Sequence, residues 1–317
     1  MKEKNKIIFT GSGKFAVPFL KHLIENNFNV FAVITQVDKT GGRGKKLLPT
    51  PVKKEALNYN LKILQPEDIN SQEIIDFIKL NGIKLNVVIS YGQILKKDLI
   101  ETPEFNSINV HPSLLPRYRG ASPIQNAILN GEDKTGISII EINEKMDAGD
   151  ILAQEIVEIS FEDDFYSLNE KLIEKGKDLL TSTIIDIFNS RIEKVAQKHS
   201  LATYCQKITK LDGLINWNDS SMKIYNQIRA LIDWPVCYTF HNGKMIKIYK
   251  AEIIGEKGEY PPGTIIRFDK KNFGVVCGDK KILKIDKLQL QGKKVLPSSD
   301  FLNGYSLKTG DIFTSGN

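Results

Sequence analysis

The chain has 317 residues, 41% hydrophobic and 26% charged, with a formal net charge of +6. That length fits about two domains, and the balance excludes a disordered, collagenous or membrane-spanning chain. The first apolar run ends at Gly11, too short for a signal peptide or an anchor. Three scattered cysteines without a CxxC pair argue against a disulfide framework. Four histidines without HxxxH or HExxH spacing argue against a structural metal. A reducing, cytoplasmic setting with no membrane and no metal is expected.

In chain order, KIIFT (6–10) precedes a helical pattern over 14–26, and VFAVIT (30–35) runs into a basic stretch. NVVIS (86–90), SINVH (107–111) and ISIIEI (137–142) follow. Continuous apolar runs predict strands covered on both faces, as in a parallel sheet with crossover helices. The expected first domain is therefore a doubly wound, mostly parallel α/β fold of Rossmann-like type over 1–189, closed by a helix over 167–189. Residues 190–210 have little apolar periodicity and a net charge of +4, and a connector is expected over 190–208. A second domain over 209–317 begins with a helical run (220–233). Short strands follow, with Asn242-Gly243 as a hairpin turn, and predict a small β-barrel or sandwich.

The positive charge is concentrated. Within a loop over 36–54, the stretch KTGGRGKKLLPTPVKK (39–54) holds six Lys/Arg and no acid, which equals the net charge of the whole chain. Most charge runs are solvated surface loops. Here Gly41, Gly42 and Gly44 surround Arg43, and Pro49 and Pro51 stiffen the exit, so a mobile cationic loop at the sheet's carboxyl edge could order on a phosphate backbone.

Gly11-Ser12-Gly13-Lys14-Phe15-Ala16 fits the GxGxxG/A dinucleotide fingerprint. That motif expects an acid ending the second strand, whereas VFAVIT runs through Thr35, Gln36 and Val37. A tight strand-to-helix turn needs small residues in any case, so a nicotinamide dehydrogenase rests on this motif alone.

NVHPSLLPRYRG (109–120) carries more. In a strand, residues two apart point the same way, so Asn109 and His111 share a face, and Pro112 ends the strand at the ligand-binding rim. A lone histidine there is more often satisfied by a backbone carbonyl. Yet NEKMDAGDIL (143–152) places Asp147 and Asp150 just beyond ISIIEI, at the same rim if that strand is a neighbour. Amide, imidazole and carboxylate together make an acyl-transfer site without a covalent nucleophile. No GxSxG elbow and no nearby cysteine competes.

HPSLLPRYRGASPIQNAILNGEDKTGISIIEINEKMDAGDIL resembles the core of the formyltransferases that use 10-formyltetrahydrofolate. GGRGKKLLPTPVKK and the second β domain are similar to those members that act on initiator methionyl-tRNA. The resemblance covers essentially the whole chain. It implies a catalytic trio of Asn109, His111 and Asp147, and a folate-holding turn of Ser113, Leu114, Leu115 and Pro116. It implies tRNA contacts by Arg43, Lys45 and Lys46, and an OB-like C-terminal barrel that also touches the tRNA. A monomer is expected. Glu141 and Asn86 depart from the family pattern at positions that bear on strand packing, not on the trio. Arg117 and Arg119 are left open between the folate tail, the tRNA and solvent. The nearest alternative is a formyltransferase acting on a sugar-nucleotide amine, which has no use for a long cationic footprint. A nucleic-acid-binding module with an inactive α/β domain is opposed by the intact trio.

Overall fold

The apolar runs become the middle of a seven-stranded sheet. The computed structural model describes residues 5–41, 46–257 and 259–316. Its chain divides into two units, Met1–Gly120 with Lys134–Glu158 and Asn169–Cys205, and Ala121–Asp133 with Ile159–Leu168 and Gln206–Asn317.

The first unit contains β1 (Lys6–Gly11), β2 (Asn29–Ile34), β3 (Lys39–Gly41), β4 (Lys46–Leu48), β5 (Lys62–Leu64), β6 (Leu85–Ile89), β7 (Ser107–His111), β8 (Arg119–Gly120), β9 (Lys134–Glu141), β10 (Ile151–Glu158) and β11 (Tyr204–Cys205). The main sheet runs β10-β9-β7-β6-β1-β2-β5. β5, β2, β1, β6 and β7 are parallel, and β9 is antiparallel to both β7 and β10. Every residue of β6 is buried, as expected for a strand covered on both faces. On one side, Ile74, Ile75 and Ile78 of helix Gln72–Leu80 cluster with Ile8, Ala32 and Ile34, each buried aliphatic side chain contributing roughly 1.5–3 kcal/mol.

Both departures from the family pattern have partners here. Asn86 is fully buried, accepts from Thr10 Oγ1 (2.7 Å) and donates to Ser107 Oγ (3.2 Å), so one amide ties three adjacent strands. Glu141 accepts from Asn106 Nδ2 (2.7 Å) and from Lys194 Nζ (2.8 and 2.9 Å). Replacing Asn86 with Leu keeps the branched shape but leaves the Thr10 hydroxyl without its acceptor. A loss of about 1–3 kcal/mol in urea unfolding is expected, and unchanged stability would show that the amide does not tie the strands.

The expected connector does not behave as one throughout. Residues 190–205 belong to the first unit, because their backbone finds partners there. Val195 exchanges two backbone hydrogen bonds with Ile151 (2.8 and 2.9 Å), and β11 pairs in parallel with β8. The expected boundary at 189 is also crossed, since 121–133 and 159–168 group with the second unit. There the Arg229 guanidinium donates to the Asp163 carbonyl (2.8 Å), and the Tyr225 hydroxyl donates to the Phe161 carbonyl (3.2 Å).

The second unit holds β12 (Cys237–His241), β13 (Lys244–Lys257), β14 (Ile265–Arg267), β15 (Phe273–Val276), β16 (Lys281–Leu290) and β17 (Leu296–Pro297), in the order β12-β13-β16-β15-β14 with β17 on β16. Asn242 and Gly243 take φ of 48° and 71°, the paired positive angles of a two-residue hairpin turn. The C-terminal segment joins the edges. Thr314 exchanges two backbone hydrogen bonds with Phe240 of β12, while Phe313 and Asp311 bond to Gly263 and Ile265 at the β14 edge. A sheet stitched edge to edge in this way is a small antiparallel barrel.

Candidate active site

β7 sits where the sheet turns from parallel to antiparallel, with Asn109 between Val88 and Ile140 and His111 opposite Ser138. Alternation puts Ser107, Asn109 and His111 on one face. Ser107 is spent on Asn86, which leaves Asn109 and His111 for the rim. β9 is a neighbour of β7 but runs the other way, so strand direction does not deliver Asp147 to the rim. The loop over 142–150 does that work. Asp147 takes a φ of 49°, a left-handed conformation that aspartate tolerates better than most residues.

The trio converges. Asp147 Oδ1 lies 3.4 Å from Asn109 Nδ2, and Asp147 Oδ2 lies 3.7 Å from His111 Nδ1. Asp147 Oδ2 also accepts from the Gly120 amide at 2.8 Å. Gly120 has a φ of 114°, and a Cβ there would stand 2.3 Å from the Cys205 carbonyl oxygen, so only glycine lets β8 pair with β11 while its amide reaches the carboxylate. Gly149 is equally constrained, since a Cβ would come within 1.7 Å of the Glu141 carbonyl oxygen. Asp150 contributes through its backbone carbonyl, which accepts from the Glu141 amide (2.9 Å).

The backbone-satisfied histidine is here too, alongside the trio. His111 Nε2 lies 2.9 Å from the Tyr118 carbonyl oxygen. A carbonyl only accepts, so Nε2 carries a proton and Nδ1 is the nitrogen left to face Asp147.

The predicted folate turn is mostly tied to β9 and β10. The Ser113 hydroxyl donates to the Arg117 carbonyl (2.7 Å), and the Leu115 amide donates to Ser138 Oγ (3.1 Å). Ser138 Oγ donates to the Ser113 carbonyl (2.6 Å), and Gln154 Nε2 donates to the Leu115 carbonyl (2.9 Å). Ser113 and Leu115 are buried, whereas Leu114 and Pro116 are partly exposed. Ser138 and Gln154 were not anticipated. The signal lay in Ser138, a hydroxyl within the apolar run ISIIEI, which must find a partner.

Of the two arginines left open, Arg117 is exposed, with its guanidinium 5.2 Å from the Tyr118 ring centroid. Arg119 is buried among Gln197, His199 and Tyr204.

The dinucleotide fingerprint is a turn. The Ser12 and Gly13 amides, which a phosphate would need, both donate to the Ser90 carbonyl (3.2 Å each). Thr35, in place of an acid, lies 2.7 Å from Thr50 Oγ1 and 3.3 Å from Ser12 Oγ.

Arg43 and Lys45 lie outside the described residues, and Lys46 is a backbone position of β4. The loop's base is built from a polar network. Lys53 Nζ donates to Asp38 Oδ2 (2.7 Å) and Gln65 Oε1 (2.6 Å), and Gln65 Nε2 donates to Asp38 Oδ1 (2.7 Å). The Lys53 ammonium and then the Gln65 amide hold the Asp38 carboxyl below its ordinary value. Lys53, a cation of this window, is thus spent internally.

No thiol competes as nucleophile. Burial pushes the Cys237 thiol up, burial with Asp279 nearby pushes Cys277 up to about 12, and Cys205 is buried with Sγ against the Tyr118 and Arg119 carbonyls. Among the described residues, no group of three or more His, Cys, Asp or Glu could hold a metal ion. No described helix is long and apolar enough to cross a membrane.

Residues 4–184 match the formyl transferase family model, and 207–306 match that of the formyl transferase C-terminal domain. The chain belongs to the formyl transferase family. Within that family it is 44% identical to the methionyl-tRNA formyltransferase of Sulfurihydrogenibium sp., covering 97% of this chain and 99% of that one. It is 43% identical to that of Halalkalibacterium halodurans, over 94% of each. Among solved formyltransferases, the sugar 3N-formyl transferase WlaRD, determined with dTDP and 5-N-formyl-THF, is 26% identical with a TM-score of 0.66, covering 92% of this chain and 99% of that one.

Proposed function

We infer that the chain transfers the formyl group of 10-formyltetrahydrofolate to the α-amino group of methionine on initiator methionyl-tRNA, yielding N-formylmethionyl-tRNA and tetrahydrofolate in the cytoplasm. The observation that carries this reading is the near full-length identity to enzymes named for that activity.

The residues fit the chemistry. An α-amino group titrates near ~7.7–8.0, so a neutral fraction is available to attack without a strong base. The amine nitrogen bonds to the formyl carbon, and the carbonyl pair moves onto oxygen. When the carbonyl re-forms, the bond to the folate nitrogen breaks. Overall, one proton leaves the attacking nitrogen and the folate nitrogen gains one. The Asn109 amide has two N–H donors, one toward Asp147 and one for the developing oxyanion. A proton taken up at His111 Nδ1 would be shared with the Asp147 carboxylate and passed to the leaving nitrogen. The partly exposed Leu114 and Pro116 offer an apolar ledge to a flat heterocyclic donor, and the hydrogen-bonded Ser113 and Leu115 hold that ledge in place.

Similarity to a sugar formyl transferase favours a second acceptor class, an amino-sugar nucleotide. Offering both acceptors with 10-formyltetrahydrofolate decides between them. Formyl is expected on methionyl-tRNA, and transfer to the sugar alone would contradict the reading. Arg43, Lys45 and Lys46 serve this reading as tRNA contacts. Arg43→Ala should raise the KM for methionyl-tRNA and lower its salt slope by about 1, with the KM for folate unchanged. An unaltered tRNA KM at moderate salt would remove Arg43 from the interface.

A further inference from the structure

We propose that Gln197 is a positioning residue for formyl transfer, setting the Asp147 carboxylate by clamping the backbone of its loop and being fixed in turn by the buried Arg119 guanidinium. The proposal rests on the reading that Asp147 serves the reaction.

Gln197 lies in the segment over 190–205 and is 6% exposed. Its Nε2 donates to the carbonyls of Asp147 (2.9 Å) and Gly149 (2.7 Å). Its Oε1 accepts from Arg119 Nε (3.2 Å) and Nη2 (2.6 Å). All four hydrogen-bonding positions of the amide are therefore used. The orientation is unambiguous, because a guanidinium only donates and a carbonyl only accepts, so a flipped amide would oppose every partner.

Arg119 is itself anchored. Nη2 donates to His199 Nδ1 (2.9 Å), Nη1 reaches the Tyr204 hydroxyl (3.5 Å), and its backbone amide donates to the Thr203 carbonyl (2.9 Å). The next residue, Gly120, aims its amide at Asp147 Oδ2. Asp147 is thus held by its carboxylate, through Gly120 and Asn109, and by its backbone, through Gln197. The loop needs such a grip. Residues 143–146 are exposed, and the chain turns inward only at Asp147, Ala148 and Gly149, with Asp147 in a left-handed conformation. Among the hydrogen bonds of the described residues, those of Gln197 reach Arg119 and the Asp147 and Gly149 carbonyls and not the His111 or Asn109 side chains, so its effect on them runs through Asp147.

Gln197→Glu separates the two halves of the clamp. The carboxylate keeps both acceptor contacts to Arg119, loses both donors, and sets a negative charge against the carbonyls of Asp147 and Gly149. The expected result is a kcat lowered on the order of 10²-fold, with the KM values for folate and methionyl-tRNA unchanged. Introduced into Asp147→Asn, the same change should add little further loss, since both act on one group. Wild-type kcat in Gln197→Glu would overturn the proposal, as would a full further loss in the Asp147→Asn background. Wild-type turnover in Asp147→Asn alone would overturn the site reading and this proposal with it. Gln197→Met, which cannot ionise, serves as the second variant. If neither variant unfolds cooperatively and binds folate, Gln197 is a structural residue and the proposal fails.

Discussion

Asp147→Asn is expected to lower kcat by about 10²–10⁴-fold while the enzyme still folds and binds both substrates. Asparagine tolerates the left-handed φ of 49° at this position, and its side-chain oxygen can still accept from the Gly120 amide. Loop geometry therefore survives, and the substitution removes the negative charge 3.7 Å from His111 Nδ1 together with the oxygen that accepts from Asn109 Nδ2. Nε2 is committed to the Tyr118 carbonyl, so Nδ1 is the nitrogen available for proton transfer, and the Asp147 carboxylate is what faces it. Steady-state formylation with both substrates saturating checks this, alongside folate binding followed by fluorescence. Turnover at the wild-type level with intact binding would show that the carboxylate has no part in moving the proton.

Asn109→Ala should cost about 2.7–4 kcal/mol of transition-state stabilisation, on the order of 10²–10³-fold in kcat. Asn109 is partly exposed within a paired strand, so alanine keeps the backbone hydrogen bonds and leaves no large cavity. On the proposed mechanism, what disappears is the donor for the oxygen that becomes negative only during transfer. Losing an interaction made only in the transition state lowers kcat and kcat/KM together. A raised KM with unchanged kcat would instead assign Asn109 to ground-state binding.

These two effects fall on residues that could be read in advance, and the reason is local. Asn109 and His111 share a strand face by simple alternation, and Pro112 marks the strand's end, so three neighbouring residues specify the arrangement. The same holds for the buried parallel strands and for the Asn242-Gly243 turn. Alternation does not reach Asp147, since β9, although a neighbour, runs antiparallel to β7 and the loop rather than the strand brings the carboxylate across. Gln197, Ser138 and Gln154 act over separations that no local pattern encodes. Nothing in a polar stretch such as VAQKHS distinguishes a buried clamp from a solvated linker. The fingerprint at 11–16 shows the converse limit. Its glycines fit a phosphate loop, but the amides are already bonded to Ser90, a partner whose position depends on the whole sheet.

On the proposed mechanism the formyl group passes directly from folate to the methionyl amine and never rests on the protein. Rapid quench of a single turnover with labelled 10-formyltetrahydrofolate and methionyl-tRNA tests it most directly. Label should appear in N-formylmethionyl-tRNA in step with tetrahydrofolate and never on the chain. Label held covalently by the protein, or tetrahydrofolate released without N-formylmethionyl-tRNA, would contradict it.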